Sequence, residues 1–124
     1  MNAYWTDPPA PRTIANRDQL GELLQEVGAL GRPTMLYLER QDAGTLVVGL
    51  GARETVLTFI EPDGASYHSR GDITRTDVLR FWNAELFDEF LGEMAVPAAL
   101  AVIAAHEFFA SDGAPPSVRW EADA

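Results

Sequence analysis

Residues 34–70, TMLYLERQDAGTLVVGLGARETVLTFIEPDGASYHSR, decide the fold. Four short apolar runs recur there at intervals of about ten residues, and the turn sequences QDAG, GARE and EPDG separate them. Asp63-Gly64, between two strand-like runs, is typical of a β-hairpin. A parallel arrangement would need helical crossovers between the runs, and the intervening segments are too short for them. The stretch therefore predicts an antiparallel meander.

The segment before the meander predicts a helix over residues 17–28. Asn16 is a favourable N-cap, and one apolar stripe recurs along the segment at helical spacing. The stripe consists of Leu20, Leu23, Leu24 and Val27. Residues 1–12 are expected to form an irregular, proline-rich lead-in. An edge strand over NAYW, residues 2–5, is the alternative for its first part.

After the meander, residues 77–83 (DVLRFWN) predict a strand, while residues 86–91 fit a helical stripe about as well as they fit a strand. Pro97 suits the first turn of a second helix over residues 97–111. Nearly all side chains of this helix are apolar, so we expect it to be buried on most sides. SVRWE, residues 117–121, then alternates like a final strand.

The order of these elements predicts the α+β class. We expect a single domain over residues 1–124, with an antiparallel sheet of about five to seven strands and two helices packed on one face. The chain has no cysteine, which excludes disulfides and thiolate metal sites. No apolar run is long enough to cross a bilayer, and the N-terminus lacks the pattern of a signal peptide. A cytoplasmic location is the simplest expectation.

The charge of the chain carries functional information. Its 19 acidic and 9 basic residues give a net charge of −10. Such a field disfavours nucleic-acid and membrane partners and favours a basic protein partner. The alternative is that the acidity only keeps a small protein soluble.

Candidate catalytic residues are sparse. His106-Glu107 begins like a zinc-protease helix, but position 110 is alanine where the second histidine is required, so a solvated helix stripe explains the pair. Ser66 and His68 would share a strand face, yet no nucleophile elbow accompanies them. We therefore expect no metal, no cofactor and no enzymatic activity.

The surface residues carry more functional information than the residues expected in the interior. Carboxylates interleaved with aromatic side chains suit an inhibitor of a basic, nucleic-acid-handling enzyme, because aromatics anchor an interface and carboxylates mimic phosphate. The alternative is that Trp82, Phe87 and Phe90 are ordinary core, and we expect this of two of the three. We expect the partner-binding residues to lie on the sheet rims and on the face away from the helices. They are Glu61, Asp63, Tyr67, Asp72, Trp82, Glu85, Asp88 and Glu89.

Residues 104–120, AAHEFFASDGAPPSVRW, resemble the C-terminal signature of immunity protein family 1 of bacterial polymorphic toxin systems. Residues 46–71 are similar to the central hairpins of that family, and residues 17–27 and 32–39 are similar to its start. The double proline at 115–116 departs from the usual single proline, and the proline-rich start also differs. The matching residues are Ala104, Ala105, Phe108, Phe109, Gly113, Pro116, Val118 and Trp120.

The resemblance implies a non-enzymatic antitoxin that binds and inhibits a cognate toxin domain, a deaminase acting on DNA cytosine. It also favours a strand over residues 86–91. Two alternatives stay open: an adaptor or secretion chaperone that does not inhibit its effector, and a small-molecule-binding or hydrolytic α+β domain. The oligomeric state is open as well. Residues expected to serve the fold are Leu20, Leu24, Phe59, Leu100, Phe108, Phe109, Gly113, Pro116 and Trp120.

Overall fold

A computed structural model describes residues 1–5, 11–83 and 85–123 of the protein. Helix α1 spans Arg17–Gly28 and helix α2 spans Ala99–Ala110, with a 3₁₀ turn at Gly92–Met94. The strands are β1 (Asn2–Tyr4), β2 (Arg12–Thr13), β3 (Thr34–Arg40), β4 (Gly44–Leu50), β5 (Glu54–Thr55), β6 (Leu57–Ile60), β7 (Ser66–Ser69), β8 (Val78–Asn83), β9 (Leu86–Leu91), β10 (Val96–Pro97) and β11 (Trp120–Ala122). Residues 6–10 of the predicted lead-in lie outside the described residues.

The main sheet confirms the predicted antiparallel meander. Its strand order is β11-β7-β6-β4-β3-β1-β2, and all neighbours on this path are antiparallel. At the tip of the β6–β7 hairpin, Gly64 has a φ of +97° and the Ala65 N–H donates to Asp63 Oδ1 at 2.9 Å. The Asp-Gly signal works because glycine adopts this left-handed conformation without steric cost. The α+β class is confirmed.

Helix α1 has the predicted bounds. Asn16 Oδ1 accepts a hydrogen bond from the Gln19 N–H at 2.9 Å, as an N-cap should. Gln19 Oε1 in turn accepts from the Ala15 N–H at 2.7 Å, which satisfies a second backbone donor next to the helix. All four residues of the predicted stripe are buried, and they pack with Leu36 and Leu46 of the sheet.

Helix α2 differs from the prediction in two ways. It begins at Ala99 because Val96 and Pro97 pair with β5 instead of entering the first helical turn. It is also not buried on most sides, since Val102 and Ile103 are 42% and 45% exposed. The helix packs on the sheet and on α1 with one side only, so its other apolar side faces solvent. The buried residues are Ala101, Ala104, Ala105 and Phe108.

The segment after α2 is held by polar contacts. Glu107 accepts hydrogen bonds from the Ser117 N–H at 3.2 Å and from Ser117 Oγ at 2.7 Å. Trp120 Nε1 donates to the Pro115 carbonyl at 2.9 Å, and its ring lies 6.1 Å from that of Phe59. Glu107 therefore links Ser117, in the segment after α2, to the helix. This is a more specific role than that of a solvated side chain, which the sequence predicted.

The sheet is covered on both faces. Side chains alternate along a strand, so Leu36 of β3 faces the helices while Met35 faces the opposite side. On that opposite side the β8–β9 hairpin lies across the sheet, joined to it by a parallel bridge between Thr34 and Trp82. Phe81 enters a second core there with Met35, Val47 and Val56. The strand alternative for residues 86–91 is thereby confirmed.

Candidate partner-binding surface

The β8–β9 hairpin has an inner and an outer face. Leu79 and Phe81 of β8 and Phe90 of β9 point inward and pack in the second core. Directly paired residues of antiparallel strands share a face, so the intervening residues form three pairs on the outside. We call these six residues the outer hairpin face: Val78, Arg80, Trp82, Phe87, Glu89 and Leu91.

The outer hairpin face is apolar at both ends and charged in the middle. Val78 and Leu91, at the open end, are 49% and 53% exposed. Arg80 and Glu89 form an ion pair at 3.4 Å. At the closed end Trp82 and Phe87 meet edge to face, with ring centroids 4.4 Å apart. Alternation along the strands thus places one apolar pair at each end of the face, with a neutralised charge pair between them.

Trp82 is the most constrained side chain of this face. The Arg32 guanidinium lies 4.2 Å from its ring centroid, a cation–π contact that orients the indole. Its backbone N–H donates to the Pro33 carbonyl at 2.6 Å, which ties the hairpin to the segment after α1. Its indole N–H is buried and has no acceptor among the described residues.

The hairpin tip is acidic. Asp88 accepts a hydrogen bond from Asn83 Nδ2 at 2.7 Å, and Asn83 also donates to the Tyr37 hydroxyl at 2.9 Å. Within the described residues, neither Asp88 nor the exposed Glu85 has a basic side chain within ion-pair distance. Four of the predicted partner-binding residues therefore lie on one hairpin: Trp82, Glu85, Asp88 and Glu89.

Three further predicted residues lie elsewhere, around the β6–β7 turn. Tyr67 packs against the core on the helix side of the sheet, where its ring centroid is 6.3 Å from that of Phe59. Its hydroxyl donates to Glu61 Oε1 at 3.4 Å, and the negative charge of Glu61 is the largest cause of the raised pKa of Tyr67. Asp63 lies in the turn itself. Tyr67 thus faces away from the β8–β9 hairpin.

Asp72 belongs to a third group, in the segment between β7 and β8. Its carboxylate accepts hydrogen bonds from the Thr74 hydroxyl at 2.6 Å and the Thr74 N–H at 2.9 Å, and both lower the pKa of Asp72. Arg75, nearby, bridges Asp77 at 2.6 Å and Glu54 at 2.5 Å. Part of the acidic surface is thus neutralised internally.

The sequence reasoning missed Val78, Leu91, Arg32 and Arg80. The signal was present, because VLRFWN and LFDEFL place Val-x-Arg-x-Trp opposite Phe-x-Glu-x-Leu once the strands are paired. Finding it required knowing that Asn83 pairs with Leu86.

Ser66 and His68, considered above as a catalytic pair, both bind Asp123. Ser66 Oγ donates to Asp123 Oδ2 at 2.5 Å, and His68 Nδ1 lies 2.6 Å from Asp123 Oδ1. A nucleophile needs a hydrogen bond to its general base, whereas here the serine donates to the carboxylate. The arrangement links β7 to the residues that follow β11.

Comparison with protein families matches residues 9–122 to the family described as Immunity protein Imm1. The chain belongs to the Imm1 immunity protein family. A search of curated proteins found no match. Membership of Imm1 makes the chain an immunity protein, a class whose role is to bind a cognate toxin.

The residues that carried the resemblance lie mainly in the scaffold of this Imm1 protein. Phe108 and Val118 are buried, and Phe109 and Trp120 are half-buried against the core on the helix side. The remaining residues expected to serve the fold differ in their burial. Leu20, Leu24 and Phe59 are buried, Leu100 is half-buried, and Gly113 and Pro116 are exposed, whereas Pro115 is buried.

Helices α1 and α2 of this Imm1 protein are short. Each has 12 residues, whereas a bilayer span needs about 20. Within the described residues, neither helix is long and apolar enough to cross a membrane.

Proposed function

We propose that this Imm1 protein inhibits a toxin that deaminates cytosine in DNA, by covering the basic substrate groove of the toxin with an acidic surface. Family membership supports the immunity role. The net charge of −10 supports a basic partner. The toxin class follows from the resemblance of the chain to immunity proteins encoded beside deaminases.

The observation that carries the proposal is the tip of the β8–β9 hairpin. There, Glu85 and Asp88 have no basic partner among the described residues, and Glu85 is exposed near Phe87, which is 52% exposed, whereas Asp88 lies on the inner side of the hairpin. A deaminase must hold a negatively charged strand and extrude the target base into its pocket. A hairpin tip that carries unpaired carboxylates and an exposed aromatic ring can occupy such a groove without any chemistry of its own.

The inhibitory complex should be tight. Protection of the producing cell calls for nanomolar binding or better, about −12 kcal/mol, which interfaces of roughly 1,600 Å² can supply. The outer hairpin face has six residues, fewer than the roughly 20–30 residues that each partner contributes to such an interface. We therefore expect the segment between β7 and β8, which includes Asp72, to contribute to the contact.

Co-expression tests the function. The protein should rescue cells that express the active toxin domain encoded by the neighbouring gene, and the purified protein should abolish cytosine deamination of a single-stranded DNA oligonucleotide. An adaptor or secretion chaperone would change export or stability of the toxin and leave the deamination rate intact. Rescue of a toxin that does not deaminate DNA would retain the immunity role and refute the deaminase.

Charge reversal locates the acidic surface. We expect Asp88→Lys with Glu89→Lys, or Asp63→Lys with Asp72→Lys, to weaken binding at least about tenfold with little change in melting temperature. The two pairs lie on different hairpins and segments, so comparing them shows which side meets the toxin. Unchanged affinity for both pairs would show that the acidic contact surface is elsewhere.

A further inference from the structure

The β8–β9 hairpin concentrates exposed apolar surface. Of the eight exposed large apolar side chains in the described residues, four belong to this one hairpin: Val78, Leu86, Phe87 and Leu91. Isolated apolar side chains are normal on a protein surface, whereas a contiguous group marks an interaction site. The outer hairpin face carries three of the four, with Phe87 against Trp82 at the closed end and Val78 opposite Leu91 at the open end.

The second core does not use this face. Phe81, Leu79 and Phe90 of the same two strands complete the second core from the inner side. Residues on the outer side can therefore change without opening a cavity in that core. No other part of the described chain covers the side chains of Phe87 and Leu91, which are 52% and 53% exposed.

The face is also suited to being covered. Arg80 and Glu89 already pair with each other, so covering them would not bury an isolated charge. Trp82, held between Arg32 and Phe87, is a preorganised aromatic side chain. Interfaces draw most of their binding energy from such anchors.

We infer that the outer hairpin face is the apolar anchor of the toxin interface, with Trp82 and Phe87 at one end and Leu91 at the other in contact with apolar toxin surface that is bordered by basic side chains. This inference rests on the proposed function. The basic border follows from charge complementarity, because the chain carries a net charge of −10 and the exposed carboxylate of Glu85 has no basic partner at the hairpin tip that bears the aromatic pair.

The same charges disfavour a second copy of the chain as the occupant. Each copy carries a net charge of −10, and a twofold dimer through this face would bring two acidic hairpin tips into one interface. Like charges brought together oppose association. The carboxylates attract a basic toxin surface, whereas they repel a second copy of the chain.

The test compares two apolar pairs of similar exposure. Phe87→Thr with Leu91→Thr changes the outer hairpin face and keeps strand-compatible residues. Val102→Ser with Ile103→Ser changes α2, on the other face of the sheet, where the side chains are 42% and 45% exposed. The probe is a catalytically inactive form of the toxin domain encoded by the neighbouring gene, and binding is measured by calorimetry.

We expect the hairpin pair to raise Kd at least about thirtyfold, as loss of a hot spot does, and the α2 pair to leave Kd unchanged. Equal affinity of both variants, with wild-type protein still binding, would overturn the inference and leave the proposed function intact. Failure of wild-type protein to bind or protect would overturn the proposed function itself.

Two further measurements complete the test. Sedimentation should show a monomer, and a wild-type dimer that the hairpin pair dissociates would assign the face to self-association and refute the inference. Circular dichroism checks the fold of each variant. If the first hairpin pair unfolds, Val78→Thr with Leu91→Thr replaces it, and an unchanged Kd for that variant would also refute the inference.

Discussion

Arg40 shows how much a single side chain can organise in this protein. From the end of β3 it donates to the carbonyl of Phe108 at 2.8 Å and to that of Ser111 at 3.0 Å, and it pairs with Asp112 at 3.2 Å. Helix α2 has no basic residue in its own last turn. Arg40 therefore supplies the positive charge that the C-terminal end of a helix favours.

Replacement of Arg40 by methionine should destabilise the fold. Two charge-assisted hydrogen bonds to helix-end carbonyls would be lost, so we expect the free energy of unfolding to fall by about 1–3 kcal/mol. Urea denaturation measures the change. Arg80→Met is the matched control, because the Arg80–Glu89 pair is exposed and should contribute less than about 1 kcal/mol. Equal losses in the two variants would argue against the helix-end role.

Asp123 gives the fold a defined response to acid. Burial acts to raise its pKa, but the hydrogen bonds from Ser66 and His68 together outweigh burial, so the folded-state pKa is lowered. A lowered folded-state pKa stabilises the protein above the unfolded-state pKa of about 3.9. This stabilisation is lost as the pH falls through the folded-state value.

We therefore expect Asp123→Asn to be less stable than wild-type protein at about pH 6, with the difference shrinking below about pH 4. Urea denaturation of both proteins at about pH 6 and about pH 3 measures this. Ser66→Ala, which removes one of the hydrogen bonds, should show a smaller difference with the same trend. A difference that is constant with pH would show that the carboxylate charge is not involved.

At the scale of elements, the contact between β4 and the β8–β9 hairpin holds the second layer in place. A Cβ atom on Gly49 would lie 2.4 Å from the Phe81 ring. The absence of a side chain at Gly49 is what lets the Phe81 ring lie directly on the sheet. The hairpin layer thus depends on one glycine in a neighbouring strand.

Gly49→Ala should displace the hairpin and lower the free energy of unfolding by about 1–3 kcal/mol, as overpacking does. The loss should be smaller when Phe81 is replaced by leucine, so a double-mutant cycle should show coupling between the two sites. Gly21→Ala in α1 is the control, because no atom lies within 4 Å of the added Cβ. It should stabilise the protein by about 0.5–1 kcal/mol. Additive effects at Gly49 and Phe81 would refute the contact.

Elements with one clear hydrophobic period could be predicted from the sequence. How these elements pack against one another was harder to predict. The stripe of α1 and the cap at Asn16 followed from helical spacing and side-chain chemistry, and the Asp63-Gly64 turn followed from its backbone requirement. In β8, by contrast, Val78 and Trp82 are apolar on the outer side while Leu79 and Phe81 are apolar on the inner side. Alternation could not show which side meets the sheet.

At the scale of the whole molecule, the sheet divides the predicted partner-binding residues. Tyr67 lies with Phe59 on the helix side, and Trp82 lies on the hairpin side. Spacing along the chain does not reveal which side of a sheet a turn residue faces. Surface charge was predictable from composition, whereas the grouping of that charge required the fold.

The net charge should govern how fast the complex forms. We expect the association rate constant with the toxin to fall about tenfold or more between about 50 and about 500 mM salt, while the dissociation rate constant changes less. Stopped-flow fluorescence of the intrinsic tryptophans measures both. An association rate that is independent of salt would remove electrostatic steering from the mechanism and leave apolar contact as the main contribution.

The two-faced β8–β9 hairpin has an evolutionary consequence under the proposed function. Adjacent positions in each strand have different tasks, since Phe81 and Phe90 hold the layer while Phe87 and Leu91 are free to vary. A point mutation can therefore alter toxin discrimination without a cost in folding. Two lineages that start from the same toxin and immunity pair can lose cross-protection in single steps while both keep this scaffold.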